Sequence, residues 1–295
     1  MFPDLKTETD RLQKQYRRLR LAVFGFIPLL AAAIVCAFAA PKAAWAVLAA
    51  AVAYQMLFLR RWQKYYTKEA ARVNILLTVG RRLGTDTLDE TGGGTITAQE
   101  IAAAGLVPVD GGESSCLLRQ GLTGTLGALP AAVCDATLGE TFHLVENGKK
   151  RVHFNAGCWV KIALPADTGA NWRLLHPDAV PTLIRQAYYS AQPELEPCEA
   201  PGGAPKDFLY YKGEGAAPGS RTLAQLYKLA DYTTGQPAVA LQGNTLTVFL
   251  RGRFVAPAVS FKEAPSGESL SFDPLPELEY LLQLANAVRV DCGIG

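Results

Sequence analysis

The sequence lacks the paired cysteines and histidines that build a structural zinc site. No two cysteines form a CxxC pair, and no histidine accompanies them at zinc-finger spacing. A zinc site therefore has little support. Unclustered cysteines in a chain of this length fit a reducing compartment such as the cytosol, although their even number leaves a disulfide framework as the alternative. The six cysteines are Cys36, Cys116, Cys134, Cys158, Cys198 and Cys292.

Sequence signatures of common enzyme classes are also missing. The chain has no GxSxG, no HExxH and no protein-kinase motif set. The pattern Gly121-x-x-Gly124-x-x-Gly127 resembles a phosphate-binding loop, but no Lys-Ser or Lys-Thr pair follows it. We interpret these glycines as bends between short strands. We therefore expect no cofactor and nominate no catalytic or metal-binding residue.

Basic residues are concentrated at the start of the chain. Residues 1–72 contain 12 lysines and arginines against 4 acidic residues, a net charge of +8. The whole chain has a net charge of +2, so residues 73–295 carry −6. An acidic domain is a poor binder of polyanions, and we therefore expect no nucleic-acid partner.

Charged residues are absent from two apolar stretches, 21–41 and 43–59, which Lys42 separates. At about 1.5 Å of rise per residue, the first covers the ~30 Å hydrocarbon core of a bilayer, and the second falls slightly short. The tight connection requires antiparallel helices, and the many alanines permit their close approach. We predict a two-helix transmembrane hairpin over residues 21–59, with the lipid bilayer of the cell membrane as its partner.

The charges that flank these stretches predict an orientation. Six basic residues precede the first stretch and five closely follow the second, against Lys42 alone between them. Both termini should therefore be cytoplasmic, with a basic N-terminal segment over residues 1–20. A cleaved signal peptide and a hairpin that enters the membrane without crossing it are the alternatives. The long, partly acidic start and the second apolar stretch argue against cleavage.

The rest of the chain predicts a juxtamembrane helix over residues 60–84 and a soluble α+β domain over residues 85–295. Thr97 and Glu100 have the spacing of a capping box that begins a short helix over residues 98–104, and Gly105 is placed to end it. Further helices are predicted over 180–190, 223–232 and 277–288, with Asp273 capping the last.

Short β-rich runs separated by turns dominate from about residue 116 onward. Asn147-Gly148 and Gly243-Asn244 lie between paired runs as hairpin turns. The mixture of strands and helices predicts an α+β fold with a largely antiparallel sheet. The predicted strands cover residues 131–138, 142–146, 151–164, 238–242 and 245–251.

The strand predicted over residues 151–164 separates two sets of side chains by alternation. Cys158 is the best nucleophile candidate, with His143 and His153 nearby in sequence, but it falls in the apolar set and is predicted to be a core thiol. Trp159 falls in the other set, where it is either an exposed partner anchor or a second core residue beneath a helix or sheet. The apolar set is Val152, Phe154, Ala156, Cys158, Val160 and Ile162, and the other set is His153, Asn155, Gly157, Trp159 and Lys161.

A second polar face follows from the strand predicted over residues 245–251. Thr245, Thr247, Phe249, Arg251 and Arg253 alternate along it and form a cationic surface that could accept an anion, although such faces are ordinarily only solvated. Combining the two strands, the candidate binding face consists of Asn155, Trp159, Lys161, Arg251 and Arg253.

The order of these features resembles a bacterial family, catalogued as domain of unknown function 3137, over most of residues 60–255. A basic start, a tight two-helix anchor and a long departing helix precede the motifs TITAQEIAAAGLVP, GLTGTLG, VHFNAGCWVKIALP and LTVFLRGRF. The segment near 165–210 departs from the resemblance. The resemblance implies a membrane-anchored bacterial protein without an established activity, and it implies no catalytic residues.

Two functions compete on this evidence. The first is a membrane-tethered binding or scaffolding module whose partner is another membrane or cytoplasmic protein. The second is a membrane-anchored enzyme with a site of dispersed carboxylates, such as Asp135, Asp167, Asp178 and Asp207, that form no recognisable motif. A transporter is disfavoured because the apolar helices carry no ionisable residue that would mark an ion pathway.

Overall fold

The computed structural model describes residues 2–39, 41–109, 115–143, 150–180, 189, 194–257 and 263–294. The chain forms two compact units. The helical unit contains residues 1–78 and 257–273, and the sheet unit contains residues 79–256 and 274–295. The single domain predicted over residues 85–295 is therefore interrupted, because residues 257–273 belong to the helical unit.

Two long helices dominate the helical unit. Helix α1 covers Leu5–Ala39. Helix α2 covers 41–83, and its last residues, 79–83, belong to the sheet unit. It consists of the α-helical stretches Pro41–Tyr54, Arg60–Ile75 and Arg81–Leu83, joined by single π-helical turns. By length and composition both helices could cross a membrane. The predicted juxtamembrane helix is thus the continuation of the second apolar helix, and its end at Gly84, in the left-handed conformation, agrees with the prediction.

The N-terminal half of α1 packs along the middle of α2. Leu12, Tyr16 and Leu19 are buried in one cluster with Tyr66 and Val73. The short helix α5, Gly267–Ser271, adds Leu270 to this cluster. Asn74 of α2 is buried, and its amide nitrogen donates to the carbonyls of Leu270 and Phe272 at 3.0 and 2.7 Å. A buried amide needs such partners, so this contact explains why the segment after the sheet returns to the helices.

The sheet unit is built on one antiparallel sheet of nine described strands, in the order β1-β2-β3-β4-β9-β8-β5-β7-β6. The α+β prediction and the largely antiparallel sheet are confirmed. The strands are β1 Leu88–Asp89, β2 Cys116–Leu126, β3 Leu129–His143, β4 Lys150–Ala163, β5 Asn171–Leu175, β6 Glu196–Cys198, β7 Leu209–Lys212, β8 Gln236–Gln242 and β9 Thr245–Arg251.

The glycines of the apparent phosphate loop have structural roles. Gly127 lies in the β2–β3 turn at φ +63°, as predicted. Gly121 and Gly124 lie inside β2; the register with β3 is irregular between Arg119 and Leu122, around Gly121, so only the bend predicted at Gly124 is wrong. A Cβ at Gly124 would lie 2.1 Å from the carbonyl oxygen of Leu83. These positions need glycine because another backbone approaches closely. Gly243 forms the predicted β8–β9 turn, and Asn147-Gly148 lies outside the described residues.

Both faces of the sheet are buried. One of them, called here the α3 face, is covered by helix α3, Ala98–Ala104, and by the residues around it. The opposite face contains the predicted apolar set of β4, and Cys158, Val160 and Ile162 are all fully buried as predicted. The side chain of Phe154 lies outside the described residues. The buried strand residues of the α3 face include Ala132, Cys134, Ala136, Leu138, Trp159, Leu175, Tyr211, Ala238, Ala240 and Phe249.

Helices α4, Ser220–Tyr232, and α6, Leu278–Asp291, pack together. The carboxylate of Asp291 accepts hydrogen bonds from the backbone nitrogen and hydroxyl of Thr222, both at 2.8 Å, and so caps α4. Asp273 does not cap α6 as predicted, because Glu277 occupies the N-cap position. Most of the helix predicted over 180–190 lies outside the described residues.

Candidate binding cleft

A row of neighbouring residues crosses the α3 face of the sheet. Lys161 of β4 is paired with Thr247 of β9, Thr247 with Ala240 of β8, and Ala240 with Arg173 of β5. Residues in one cross-strand row project to the same face. The row therefore has one cation at each end, with the short side chains of Thr247 and Ala240 between them. Arg173 is fully buried, so only Lys161 lines the gap above these short side chains.

Helix α3 lies over this gap. Both of its ends are capped, and one of its residues is buried in the cluster of the α3 face. The Thr97 hydroxyl accepts from the Glu100 backbone nitrogen at 3.2 Å, and the Glu100 carboxylate accepts from the Thr97 backbone nitrogen at 3.0 Å. Gly105 ends the helix in the left-handed conformation. The predicted helix and capping box are both confirmed. Ile101 is fully buried in the α3-face cluster with Trp159.

Glu100 connects the helix to the sheet. One carboxylate oxygen completes the capping box, and the other lies 2.5 Å from the Lys161 ammonium nitrogen. Partial burial of Glu100 opposes ionisation, but the hydrogen bonds from Lys161 and from the Thr97 backbone outweigh it and lower the pKa of the carboxyl group. The Glu100 carboxylate therefore carries its negative charge at neutral pH and offsets the positive charge of Lys161.

Between α3 and the sheet is a cleft of about 280 Å³. This volume lies just below the usual range for small-molecule sites, roughly 300–1,000 Å³. Short side chains on both walls leave the space, while hydroxyl, amide and charged groups supply hydrogen-bond donors and acceptors. The cleft can therefore hold a small polar ligand or one side chain of a partner. Its lining residues are Ile96, Glu100, Ala103, Ala104, Trp159, Lys161, Ala240, Gln242, Thr245 and Thr247.

Trp159 does not serve as an exposed anchor. Its side chain is 2% exposed and packs against Phe249, with ring centroids 5.8 Å apart. The alternative considered above, a second core beneath a helix, is what the structure shows. Trp159 contributes only part of the cleft floor, so the hypothesis of an exposed binding face centred on this residue is wrong.

Asn155 and the two arginines also depart from the predicted binding face. Asn155 is fully buried, and neither polar atom of its amide has a hydrogen-bond partner among the described residues. Arg251 donates to the side-chain oxygen of Gln236 at 3.2 Å and to the carbonyl of Asp178. These residues are occupied or enclosed within the fold, and Lys161 is the one member of the set with a charged group at the cleft.

Arg253 is held on another side of the sheet unit. Its Nε lies 2.7 Å from a carboxylate oxygen of Glu277, which is almost completely buried, and its terminal nitrogen donates to the carbonyl of Pro274 at 3.1 Å. Glu277 also accepts from the Thr233 hydroxyl at 2.9 Å. Arg253 therefore closes a structural network, because a buried carboxylate requires a partner of opposite charge.

Two polar residues of the cleft, Glu100 and Gln242, belong to no predicted binding face. Glu100 was assigned only as a helix cap, and Gln242 only as the end of a strand. Of the polar face predicted from strand β9, Thr245 and Thr247 line the cleft, whereas Phe249 is core. No pattern in the sequence places α3 against β4, because residues 100 and 161 are far apart along the chain.

The cysteine candidate is a core thiol. Cys158 is fully buried, and desolvation followed by the charge of Asp135 raises its pKa well above the usual range, which disfavours the reactive thiolate. Burial likewise raises the pKa of the Cys134 thiol. The side chains of His143 and His153 lie outside the described residues. These environments confirm the core assignment of Cys158.

The dispersed carboxylates proposed for an enzyme occupy separate local environments. Asp135 accepts from the backbone nitrogens of Val255 and Ala256 at 2.5 and 3.2 Å, and burial raises its pKa to about 6 despite these hydrogen bonds. Asp167 accepts from the Gly169 nitrogen at 2.8 Å within its own turn. Asp135 therefore holds the segment that follows β9, and it lines neither of the clefts of the sheet unit described here.

A second cleft, of about 810 Å³, is bordered by several acidic residues. Among the charged residues it contains, Lys212 lies opposite Glu196 across strands β7 and β6. No group of three His, Cys, Asp or Glu side chains within the described ranges could hold a metal ion. The charged residues of this cleft are Asp167, Glu194, Glu196, Lys212 and Glu214.

Comparison with known proteins does not extend this description. No family model, no curated protein and no solved structure matches the chain. The resemblance to domain of unknown function 3137 therefore stays a prediction.

Proposed function

We propose that this chain is a two-pass membrane protein whose cytoplasmic sheet unit is a tethered binding or scaffolding module. The observation that carries the proposal is the apolar surface of the helical unit. In the most apolar 18-residue window of α1 only 6% of the residues are buried, and in that of α2 only 11%. Monomeric soluble proteins rarely expose contiguous apolar surface on this scale, and lipid removes it from water.

The exposed side chains are large and continuous along both helices. Phe38 of α1 is 89% exposed and Trp45 of α2 is 74% exposed. In water such side chains would drive aggregation, whereas in a bilayer they contact acyl chains. The flanking basic residues favour an orientation with both termini in the cytoplasm. Because only a short turn connects the two spans, almost all of the polar part of the chain then lies on one side of the membrane.

The cleft supports binding as the role of the sheet unit. It combines a neutralised Lys161–Glu100 pair with the hydroxyls of Thr245 and Thr247, so it favours a polar group without a strong net charge. A small polar molecule or a polar side chain of a protein partner fits these properties. Binding here would be sensitive to Lys161, whose ammonium group is the one cation that lines the cleft within the described part of the chain.

Site-specific photocrosslinking tests this assignment. A photoreactive amino acid replaces Ala103, which lines the cleft, or Ala102, which is exposed on the same helix but does not line it. We expect a crosslinked partner in native membranes from position 103, much less from position 102, and loss of the product when Lys161→Met is added. Equal products from both positions, or none from position 103, would contradict binding in this cleft.

An enzyme is the second candidate, and the acidic cleft is the observation that favours it. Carboxylates such as Asp167 and Glu214 border a volume large enough for a metabolite. Comparing small molecules in a cell extract before and after incubation with the purified full chain distinguishes the two functions. Depletion of a compound that Asp167→Asn and Glu214→Gln abolish would favour the enzyme, and an unchanged extract would favour the binding module.

A further inference from the structure

Six exposed cations lie on the helical unit at the start of the apolar stretch of α1 and at the end of that of α2. They form what is called here the basic collar, which consists of Arg17, Arg18 and Arg20 on α1 and Arg60, Arg61 and Lys64 on α2. The two groups lie at the same level, because Leu19 and Leu59 are buried in one cluster and the rings of Tyr16 and Tyr66 are 5.9 Å apart. At about 1.5 Å of rise per residue, each group spans only one to two helical turns.

The two helices carry no acidic residue within the stretch that contains the collar. The sequence contains no Asp or Glu between Arg11 and Lys68. The acids that flank this stretch are Glu8 and Asp10 on α1 and Glu69 on α2. Glu8 and Glu69 both pair with Arg11, at 2.7 and 2.9 Å. None of the six collar residues forms an ion pair within the described ranges, although Arg20 lies over the Tyr16 ring at 5.5 Å. The collar therefore presents six positive charges.

The surroundings of the collar identify what could neutralise it. Trp62 and Tyr65 are 50% and 60% exposed at the same level, and amphipathic aromatic rings favour the interface between headgroups and acyl chains. Next to the collar, within the apolar stretches, Leu21 and Phe58 are also exposed. A free phosphate or a nucleic acid would meet the charges but would leave this apolar surface in water. A phospholipid satisfies both the charge and the apolar surface.

We infer that the basic collar binds the headgroups of anionic phospholipids and enriches them around the protein. Guanidinium groups match phosphate geometry and donate two hydrogen bonds at once, and five of the six collar cations are arginines. Cations close to a membrane surface add up in their attraction for anionic lipid. The inference rests on the membrane anchor of the proposed function and adds a lipid preference to it.

Spin-label spectroscopy on the full chain in phosphatidylcholine vesicles tests the preference. A trace of spin-labelled phosphatidylglycerol or phosphatidylcholine reports the fraction of each lipid that the protein immobilises. We expect at least roughly threefold enrichment of phosphatidylglycerol, which should disappear at about 1 M salt, where the Debye length is ~3 Å. Equal immobilisation of the two lipids at low salt would overturn the inference.

A matched pair of variants locates the effect. In the collar variant, Arg17, Arg18, Arg60 and Arg61 are changed to Gln. In the control variant, the exposed residues Lys206, Lys212, Arg221 and Lys228 are changed to Gln, which removes the same charge from the sheet unit. Enrichment should vanish in the collar variant and persist in the control. Persistence in both, or loss in both, would contradict recognition by the collar.

Two further measurements separate other outcomes. Flotation of the vesicles on a density gradient shows whether the protein is inserted, so failure of the anchor is distinguished from failure of the lipid preference. Inorganic phosphate is compared with sodium chloride at equal ionic strength. Complete loss of the enrichment in phosphate, at an ionic strength at which sodium chloride preserves it, would mean that the collar is a free-phosphate site and would overturn the lipid assignment, whereas enrichment that persists in both salts would support it.

Discussion

The indole of Trp159 packs against the phenyl ring of Phe249 across strands β4 and β9, with centroids 5.8 Å apart and planes inclined by 46°. Both rings are almost completely buried beneath α3. Aromatic pairs in this arrangement stabilise a fold by about 0.5–1.5 kcal/mol beyond their buried area. Trp159, which alternation assigns to the polar face of β4, is therefore part of a second core beneath α3.

We predict that Trp159→Ala and Phe249→Ala each lower the free energy of unfolding by about 3–5 kcal/mol, because both remove a buried aromatic side chain. The double variant should cost less than the sum, since the two share a contact. Denaturant unfolding of the full chain in detergent, followed by tryptophan fluorescence, measures this. Leu117→Ala, at a half-exposed position, is the control. A free energy of unfolding for Trp159→Ala equal to that of the wild type would contradict the burial of the indole beneath α3.

The two contacts of Glu100 can be separated by substitution. Glu100→Gln retains an oxygen for the capping box but removes the ion pair with Lys161, so it should cost at most about 1 kcal/mol, as for other partly exposed pairs. Glu100→Ala removes the pair and the cap, and should cost on the order of 1–2 kcal/mol. Thermal unfolding of both variants checks the order. Equal destabilisation would show that the ion pair, and not the cap, holds α3 against the sheet.

Arg253 and Arg251 should differ in their effect on stability, although the sequence places them together. Arg253→Met leaves the buried Glu277 carboxylate without its cation and should cost about 3–5 kcal/mol. Arg251→Met removes hydrogen bonds to Gln236 and to the Asp178 carbonyl and should cost about 1 kcal/mol. Parallel denaturant titrations compare them. A larger loss for Arg251→Met would contradict the assigned network.

Asp135 should make the stability of the sheet unit depend on pH. Burial raises its folded-state pKa to about 6 from an ordinary value of 3.8, so ionisation is easier in the unfolded chain. Its contribution is therefore complete below about pH 4 and is lost as the pH rises through about 6, by on the order of 3 kcal/mol. The stability difference between the wild type and Asp135→Asn should fall over this interval. A difference that is constant or increases with pH would refute the assignment.

Local signals in the sequence predict much of the fold. Strand β9 and helix α3 have the predicted bounds, because alternation, turn residues and a capping box are all short-range patterns. The alternation of side chains along β4 also correctly assigns Cys158, Val160 and Ile162 to the core. These features depend on neighbours within a few residues.

Contacts between distant segments account for the errors. Alternation assigns Trp159 to a face but does not say that α3 covers it. The return of residues 257–273 to the helical unit depends on Asn74, nearly 200 residues earlier in the chain, whose buried amide binds the end of α5. The lining of the cleft depends in the same way on the pairing of Glu100 with Lys161. Such pairings have no local signature.

Thiol labelling of intact cells tests the membrane anchor most directly. Single cysteines are introduced at Lys6, Lys42 and Glu90 in a background without reactive native cysteines, and the cells are treated with an impermeant thiol reagent. A two-pass hairpin with both termini in the cytoplasm predicts labelling at position 42 alone, with positions 6 and 90 labelled only after the membrane is opened. Labelling of positions 6 and 90 in intact cells, with position 42 protected, would contradict the account.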